Sequence, residues 1–457
     1  MHKAGGKISA GMAAVTGCRW GKKRRMANKY VQRGGFSGLT SNIAFYDLPW
    51  LPRIAAAARG MVCRSAKEEL SVKRLPVIYL VLALFIVGGL VAGCGGGASQ
   101  GIKVGMVYEL TGNTASYGTS AANGTKLAFK EINAVGGVLG KQIQIVTADN
   151  KGEPSESTNA MLKVLTQDKV VAVTGFTVSS CGIAASAVAE ANKIPFVAAA
   201  TVNPKVTVDE RTGKVKEYTF RACFTDSFQG IVGANFALNS LKTRKAAIMT
   251  DNASDYSKGL ADIFKGAFTK GGGQVVAEEA YLQKDQDYKP VLTKIKAQNP
   301  ELLYIPGYYE DVGKIIKQAR ELGITVPILG GDAWDSPKLV ELGGPQALNN
   351  TYFTNFYSAD DKTPESNKFV EAYMKEYGQK PDSMAAMGYD AAYLLADAIK
   401  RAGSTDANKI REALAATKSF KSVSGEMALN ATHDAVRGVV IIEMKDGKQV
   451  YKETIKQ

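Results

Sequence analysis

From residue 102 to the end of the chain, short apolar runs alternate with longer amphipathic segments, and this rhythm narrows the fold more than any other feature. A β-branched run such as V-V-A-V at 170–173 suits a strand buried on both faces, as in parallel sheets whose connections are helices. The pattern predicts a strand at 102–108, a helix at 117–135 ending at Gly136-Gly137 and a strand at 142–148. A helix at 154–167, the strand at 170–173, a helix at 180–191 and a strand at 195–198 complete a doubly wound α/β unit.

The alternation then restarts. A helix at 226–241, with Asp226 and Gln229 spaced as a capping box, leads to a strand at 246–250 and a helix at 255–270 closed by three glycines. Strands at 275–281, 301–305 and 327–329 are separated by helices at 288–298 and 310–322. Segments 218–223 and 352–356 are short, apolar and without helical period, fit to be hinge strands, and a third crossover is expected near 427–436. Helices at 365–377, 384–402 and 406–415 and strands at 438–443 and 448–454 finish the chain. The expectation is two doubly wound, Rossmann-like lobes joined by a three-segment hinge. Lobe 1 takes 102–222 and 353–430; lobe 2 takes 223–352 and 431–457.

A formal charge of +14 over 457 residues suggests a polyanion as partner, but the surplus is local. Residues 1–93 hold fifteen Lys/Arg against Asp47, Glu68 and Glu69, and the remainder is nearly neutral. That balance argues against nucleic acid. Lys73 and Arg74, an apolar core at 75–91 and small residues up to Cys94 have the build of a signal peptide. L-V-A-G-C at 90–94 resembles a bacterial lipobox, which implies cleavage before Cys94, lipidation of that cysteine and a flexible tether at 94–101. An uncleaved membrane anchor is the other reading of the same run; both place the remainder outside the cytoplasm. Residues 1–71 are basic and irregular and are read as an upstream extension without a fold of its own. Lys67-Glu68-Glu69 is what a purine-rich ribosome-binding site would spell, and Val72 could be a GTG start codon. Outside these segments the cysteines are Cys181 and Cys223, whose spacing leaves a disulfide open.

At 171–187 an apolar strand breaks at Gly175 and a small-residue helix begins near Ser179 and Ser180. Unpaired amides, two hydroxyls and the positive helix end suit an anion, most simply a carboxylate, although serine is also a preferred helix cap. Chemistry for catalysis is missing: His2 lies in the extension, His433 sits in a polar turn and reads as solvated, and no nucleophile, zinc or phosphate-loop motif occurs. No metal or cofactor is expected. An exported two-lobed protein of this kind is best read as a binding protein rather than an enzyme.

The chain from Ile102 onward resembles the leucine/isoleucine/valine-binding proteins, type I solute receptors of ABC importers. The resemblance rests on L-T-G-x-x-A-x-Y-G at 110–118, E-I-N-A-x-G-G-x-x-G-K at 131–141, F-R-x-C-x-x-D at 220–226, D-Y-S-K-G-L-A at 255–261, P-G-Y-Y at 306–309, K-Q-A-R-E-L-G at 317–323 and G-G-D-x-W at 330–334. It implies that an amino-acid carboxylate is held by Ser179 and Ser180 together with Ala200, Thr201 and Val202. The family usually carries a threonine where Val202 stands; here the hydroxyl is on Thr201. The ligand ammonium is assigned to Asp332, and Tyr117, Tyr256, Tyr308, Tyr309 and Trp334 match positions that line or flank the family cleft. Gly152 and Val178 occupy positions where some relatives have a disulfide.

The expected function is amino-acid binding, branched-chain first, by hinge closure of a monomeric, lipid-anchored receptor that serves an ABC permease. A receptor for an amide, urea or aromatic acid on the same fold, or an extracellular sensor, is the alternative.

Overall fold

The computed structural model describes residues 101–360 and 362–456. The expected extension, signal segment, Cys94 and most of the tether lie outside that range. Five parallel strands form the first sheet: β1 (Ile102–Tyr108), β2 (Ile143–Asp149), β3 (Ala172–Gly175), β4 (Phe196–Ala198) and β5 (Thr219–Arg221), in the order β2-β1-β3-β4-β5. β3 is buried at every position, Thr174 included, as expected of a central parallel strand. The connections are α1 (Ala115–Ala134), α2 (Pro154–Leu162) and α3 (Ser179–Asn192). Chain order reverses on either side of β1, so the C-terminal ends of β1 and β3 open the crevice where ligands of such sheets bind.

The second sheet has seven strands in the order β15-β14-β10-β9-β8-β6-β7. β6 (Lys245–Asp251), β7 (Gln274–Tyr281), β8 (Leu302–Tyr304), β9 (Ile328–Gly330) and β10 (Thr351–Asn355) are parallel. Its helices are α4 (Asp226–Asn239), α5 (Asp255–Lys270), α6 (Lys289–Ala297), α7 (Tyr309–Glu321) and α8 (Pro337–Gly343). The chain then returns through α9 (Pro364–Tyr377), α10 (Ser383–Ala402) and α11 (Ala407–Ala415). α10 lies along α1 of the first lobe, where Thr125 Oγ1 donates to Gly388 O at 3.0 Å. A small antiparallel sheet, β11 (Phe420–Ser422), β12 (Gly425–Leu429) and β13 (Ala435–Val436), precedes β14 (Val439–Lys445) and β15 (Lys448–Ile455). Both final strands pair into the second sheet.

The structure refines three expectations. Residues 218–223 and 352–356, expected as hinge strands, each pair into a sheet, as β5 at the edge of the first and β10 inside the second. The second-lobe strand therefore runs to Asn355, past the expected boundary at 352/353. His433 is not a solvated turn residue. Its ring stacks on Phe220 with centroids 4.1 Å apart, and burial depresses its pKa. Cys181 and Cys223, left open above, are free and buried thiols.

The crossovers are tied to one another. Arg221, completely buried, forms an ion pair with Asp434 (Nε to Oδ1, 2.7 Å), and its Nη1 and Nη2 donate to Thr201 O at 2.7 Å and Asn203 O at 2.9 Å. Arg437 donates to Ala222 O at 2.8 Å. The first and third crossings are thus joined by buried charge, and the same guanidinium fixes the loop after β4.

Candidate functional site

Between β3 and α3 the backbone turns sharply. Phe176 has φ +64°, a left-handed conformation that is unusual for a bulky residue. Val178 is the N-cap of α3 and no side chain caps the helix, so Ser179, Ser180 and Cys181 supply first-turn amides without an acceptor in the helix. Capping thus does not explain the two serines: Ser179 Oγ instead accepts from Asn203 N–H at 3.3 Å, joining the loops after β3 and β4. Asn203 Nδ2 donates across to Asp255 O, at the start of α5 in the other lobe, at 2.8 Å. The end of α3 with the free amides therefore faces the second lobe.

The neighbouring loop offers less than expected. Ala200 N–H is bonded to Phe176 O at 3.2 Å, Val202 O accepts from Asp226 N–H at 3.0 Å, and the Val202 side chain has no donor. Thr201 Oγ1 is buried and has no partner. Of these three residues, it is Thr201 that brings an unspent polar side-chain atom.

On the opposite wall, Asp332 opens a 3₁₀ turn directly after β9 and is 3 % exposed. It caps nothing: Ser336 caps α8. Asp332 Oδ1 accepts from Gln229 Nε2 at 2.6 Å and Tyr256 OH at 3.2 Å, and burial pushes its carboxyl up to about 7. Tyr256 stacks on Tyr308 at 5.4 Å. Tyr117, from α1, meets Tyr309 edge-on at 4.9 Å, accepts from Tyr309 N–H at 3.2 Å and donates to Ala333 O. Tyr309 OH reaches Asn113 O at 2.7 Å. These four tyrosines cluster with Asp332 where the lobes meet. Trp334 does not join them: its Nε1 donates to Ile305 O at 3.1 Å and its ring packs on Phe353, in the core of the second lobe. Two steps along the turn from Asp332, its side chain leaves on a different face.

The expected capping box at Asp226 and Gln229 is absent. Gln229 Nε2 serves Asp332 and Thr354, and Asp226 is fully buried with both carboxylate oxygens unpartnered. Burial, then the proximity of Asp332, drives the Asp226 carboxyl well above the carboxylate range. Sequence reasoning missed both residues because D-x-x-Q fits a cap equally well; the closing aspartate of the 220–226 motif was the available signal. At the seam away from these groups, Asp335 of the second lobe accepts from Ser383 N–H, the first amide of α10, at 2.9 Å. A cavity of 410 Å³ lined by Asp335, Asp382, Ser383 and Gln449 lies there and shares none of the residues above.

The first-turn amides of α3 lie in the first lobe on the side turned to the second, and the buried carboxyls of Asp226 and Asp332 lie in the second lobe. Residues 101–449 match the family model for periplasmic binding proteins. The chain belongs to that family. This periplasmic binding protein is 36 % identical to a leucine-binding protein from Thermotoga maritima, with 78 % of this chain and 99 % of that one covered and a TM-score of 0.74. A branched-chain amino-acid transporter substrate-binding protein from Streptococcus pneumoniae, solved with isoleucine, is 35 % identical, with 78 % and 100 % covered and a TM-score of 0.73. The Leu/Ile/Val-binding protein BraC3 of Rhizobium johnstonii is 30 % identical over 74 % of this chain and 89 % of its own length.

Proposed function

We propose that this periplasmic binding protein captures a branched-chain amino acid between its lobes, closes on it, and delivers it to an ABC permease while anchored outside the cytoplasm through a lipid on Cys94. One observation carries the ligand class. Asp226 and Asp332 are buried acids of the second lobe, the first without a hydrogen-bond partner and the second held by neutral groups, and the first-turn amides of α3 turn toward that lobe. An α-amino acid brings both complements: its ammonium to the acids, its carboxylate to the Ser179 and Ser180 amides and Thr201 Oγ1. Tyr256, Tyr308 and Tyr117 supply apolar faces for an aliphatic side chain. An aromatic acid or an amide has no ammonium and leaves the two carboxylates unmatched, so those alternatives are disfavoured. The relatives named for leucine, isoleucine and valine support the same choice.

Ligand that touches both walls stabilises the closed form, and three crossovers restrict the motion to a bend. A thermal-shift screen over the twenty amino acids, their keto acids and small amides tests the reading: leucine, isoleucine and valine raise the melting temperature, and keto acids do not. A shift with keto acids or amides alone would overturn it. Replacing Cys94 by serine is expected to release the protein from membranes into the soluble fraction.

A further inference from the structure

At the C-terminal edge of the first sheet, three neighbouring strand ends converge on one carboxyl group. Glu109 follows β1, Asn150 follows β2, and Thr177 lies two residues beyond β3. Glu109 is completely buried, and the groups on its carboxyl are all hydrogen-bond donors. Asn150 Nδ2 donates to Oε1 at 3.1 Å. Thr177 N–H lies 3.3 and 3.2 Å from the two oxygens, and Thr177 OH donates to Oε2 at 2.7 Å. Val178 N–H approaches Oε1 at 3.5 Å. The backbone of Glu109 is itself clamped by α1, since a Cβ at Gly118 would lie 2.1 Å from Glu109 O. The group thus has little freedom to move.

The loop it holds is the strained one. Phe176 at φ +64° holds a left-handed conformation that is costly for a bulky residue, and such a turn persists where its surroundings over-determine it. We infer that Glu109 is a positioning residue for ligand recognition: its carboxyl group fixes residues 176–178 in the turn that aims the unpaired Ser179 and Ser180 amides at the cleft. The inference rests on the reading that a ligand carboxylate docks on those amides. Burial raises the Glu109 pKa, and the hydrogen bonds from Thr177 and Asn150 oppose that rise by favouring the accepting carboxylate. The groups that face it are Thr177 and Asn150 with Tyr108 and Cys181 nearby. None of the ion pairs among the described residues includes it.

The experiment compares leucine with leucinamide, which keeps the ammonium and side chain but lacks the carboxylate. Calorimetry is run on the parent protein, Glu109→Ala and Glu109→Gln, alongside hydrogen exchange resolved to peptides. Glu109→Ala is expected to lose about tenfold to a hundredfold in leucine affinity, as for removal of a buried charge-assisted acceptor, with leucinamide changed by less than about threefold. Exchange speeds up at 176–180 while β4 and α1 stay protected. Glu109→Gln keeps an acceptor for Thr177 N–H and restores leucine binding to within about threefold of the parent or better. Equal losses for leucine and leucinamide, or unchanged exchange at 176–180 in Glu109→Ala, overturn the inference. A parent protein that binds leucinamide as well as leucine overturns the carboxylate reading instead, and the exchange result then still decides whether Glu109 braces the loop.

Discussion

The two walls of the cleft are built on opposite plans. The first lobe presents main-chain amides at the start of α3, a geometry fixed by a turn and largely indifferent to which side chain sits there. The second lobe presents carboxylates and tyrosines, whose chemistry vanishes if one residue is changed. The first wall should therefore be robust to substitution of its serines and sensitive to changes in loop support; the second should fail residue by residue.

The largest effect is expected at Asp332. Asp332→Ala leaves the buried ammonium with Asp226 alone, and leucine affinity by calorimetry should fall about a hundredfold to a thousandfold. Unchanged affinity would break the comparison and the amino-acid reading together. Asp226→Asn should act in two directions at once. It removes a buried acid without partners, so the ligand-free protein melts higher, whereas leucine binding weakens by about tenfold.

A pH series sharpens the contrast. Burial raises the folded-state pKa of Asp332 from the ordinary carboxylate range to about 7, so its contribution to ligand-free stability is full below the unfolded value and is lost as pH rises through about 7. Ammonium binding needs the ionised carboxylate, so affinity runs the other way. Leucine should bind about tenfold or more weakly near pH 5.5 than near pH 8, and Asp332→Asn should flatten the profile. The smallest effect belongs to the first wall: Ser180→Ala keeps the amide and should alter affinity by no more than about threefold. A loss as large as that at Asp332 would show that hydroxyls, not amides, carry the anion.

Most of the architecture was legible because its signals are long. Buried β-branched runs and amphipathic segments over ten or more residues placed both lobes and the pairing of the last strands. The β11–β13 sheet escaped because strands of two to five residues carry no usable period. At the site, Ser179 stood out because residue type and position after a strand agreed, whereas Asp332 was singled out by the family resemblance. Glu109 and Asp226 did not, since a lone acid beside a strand or at a helix start reads as a solvated or capping group; only the folded chain shows that each is buried. Trp334 was misplaced because the motif gives its position along the chain but not the face from which it leaves the turn.

The buried pair of Arg221 and Asp434 also bears on biogenesis. Arg221 closes the first sheet, yet its counter-ion lies close to the C-terminus of the chain. Until the last crossover is laid down, the edge strand β5 contains a cation that is expensive to bury, and the loop holding Thr201 lacks its anchor. The first lobe, though its strands come first in the sequence, cannot be completed vectorially. A truncation before Asp434 is expected to leave the first lobe unable to close on Arg221, and loss of the cooperative melting transition in circular dichroism checks this.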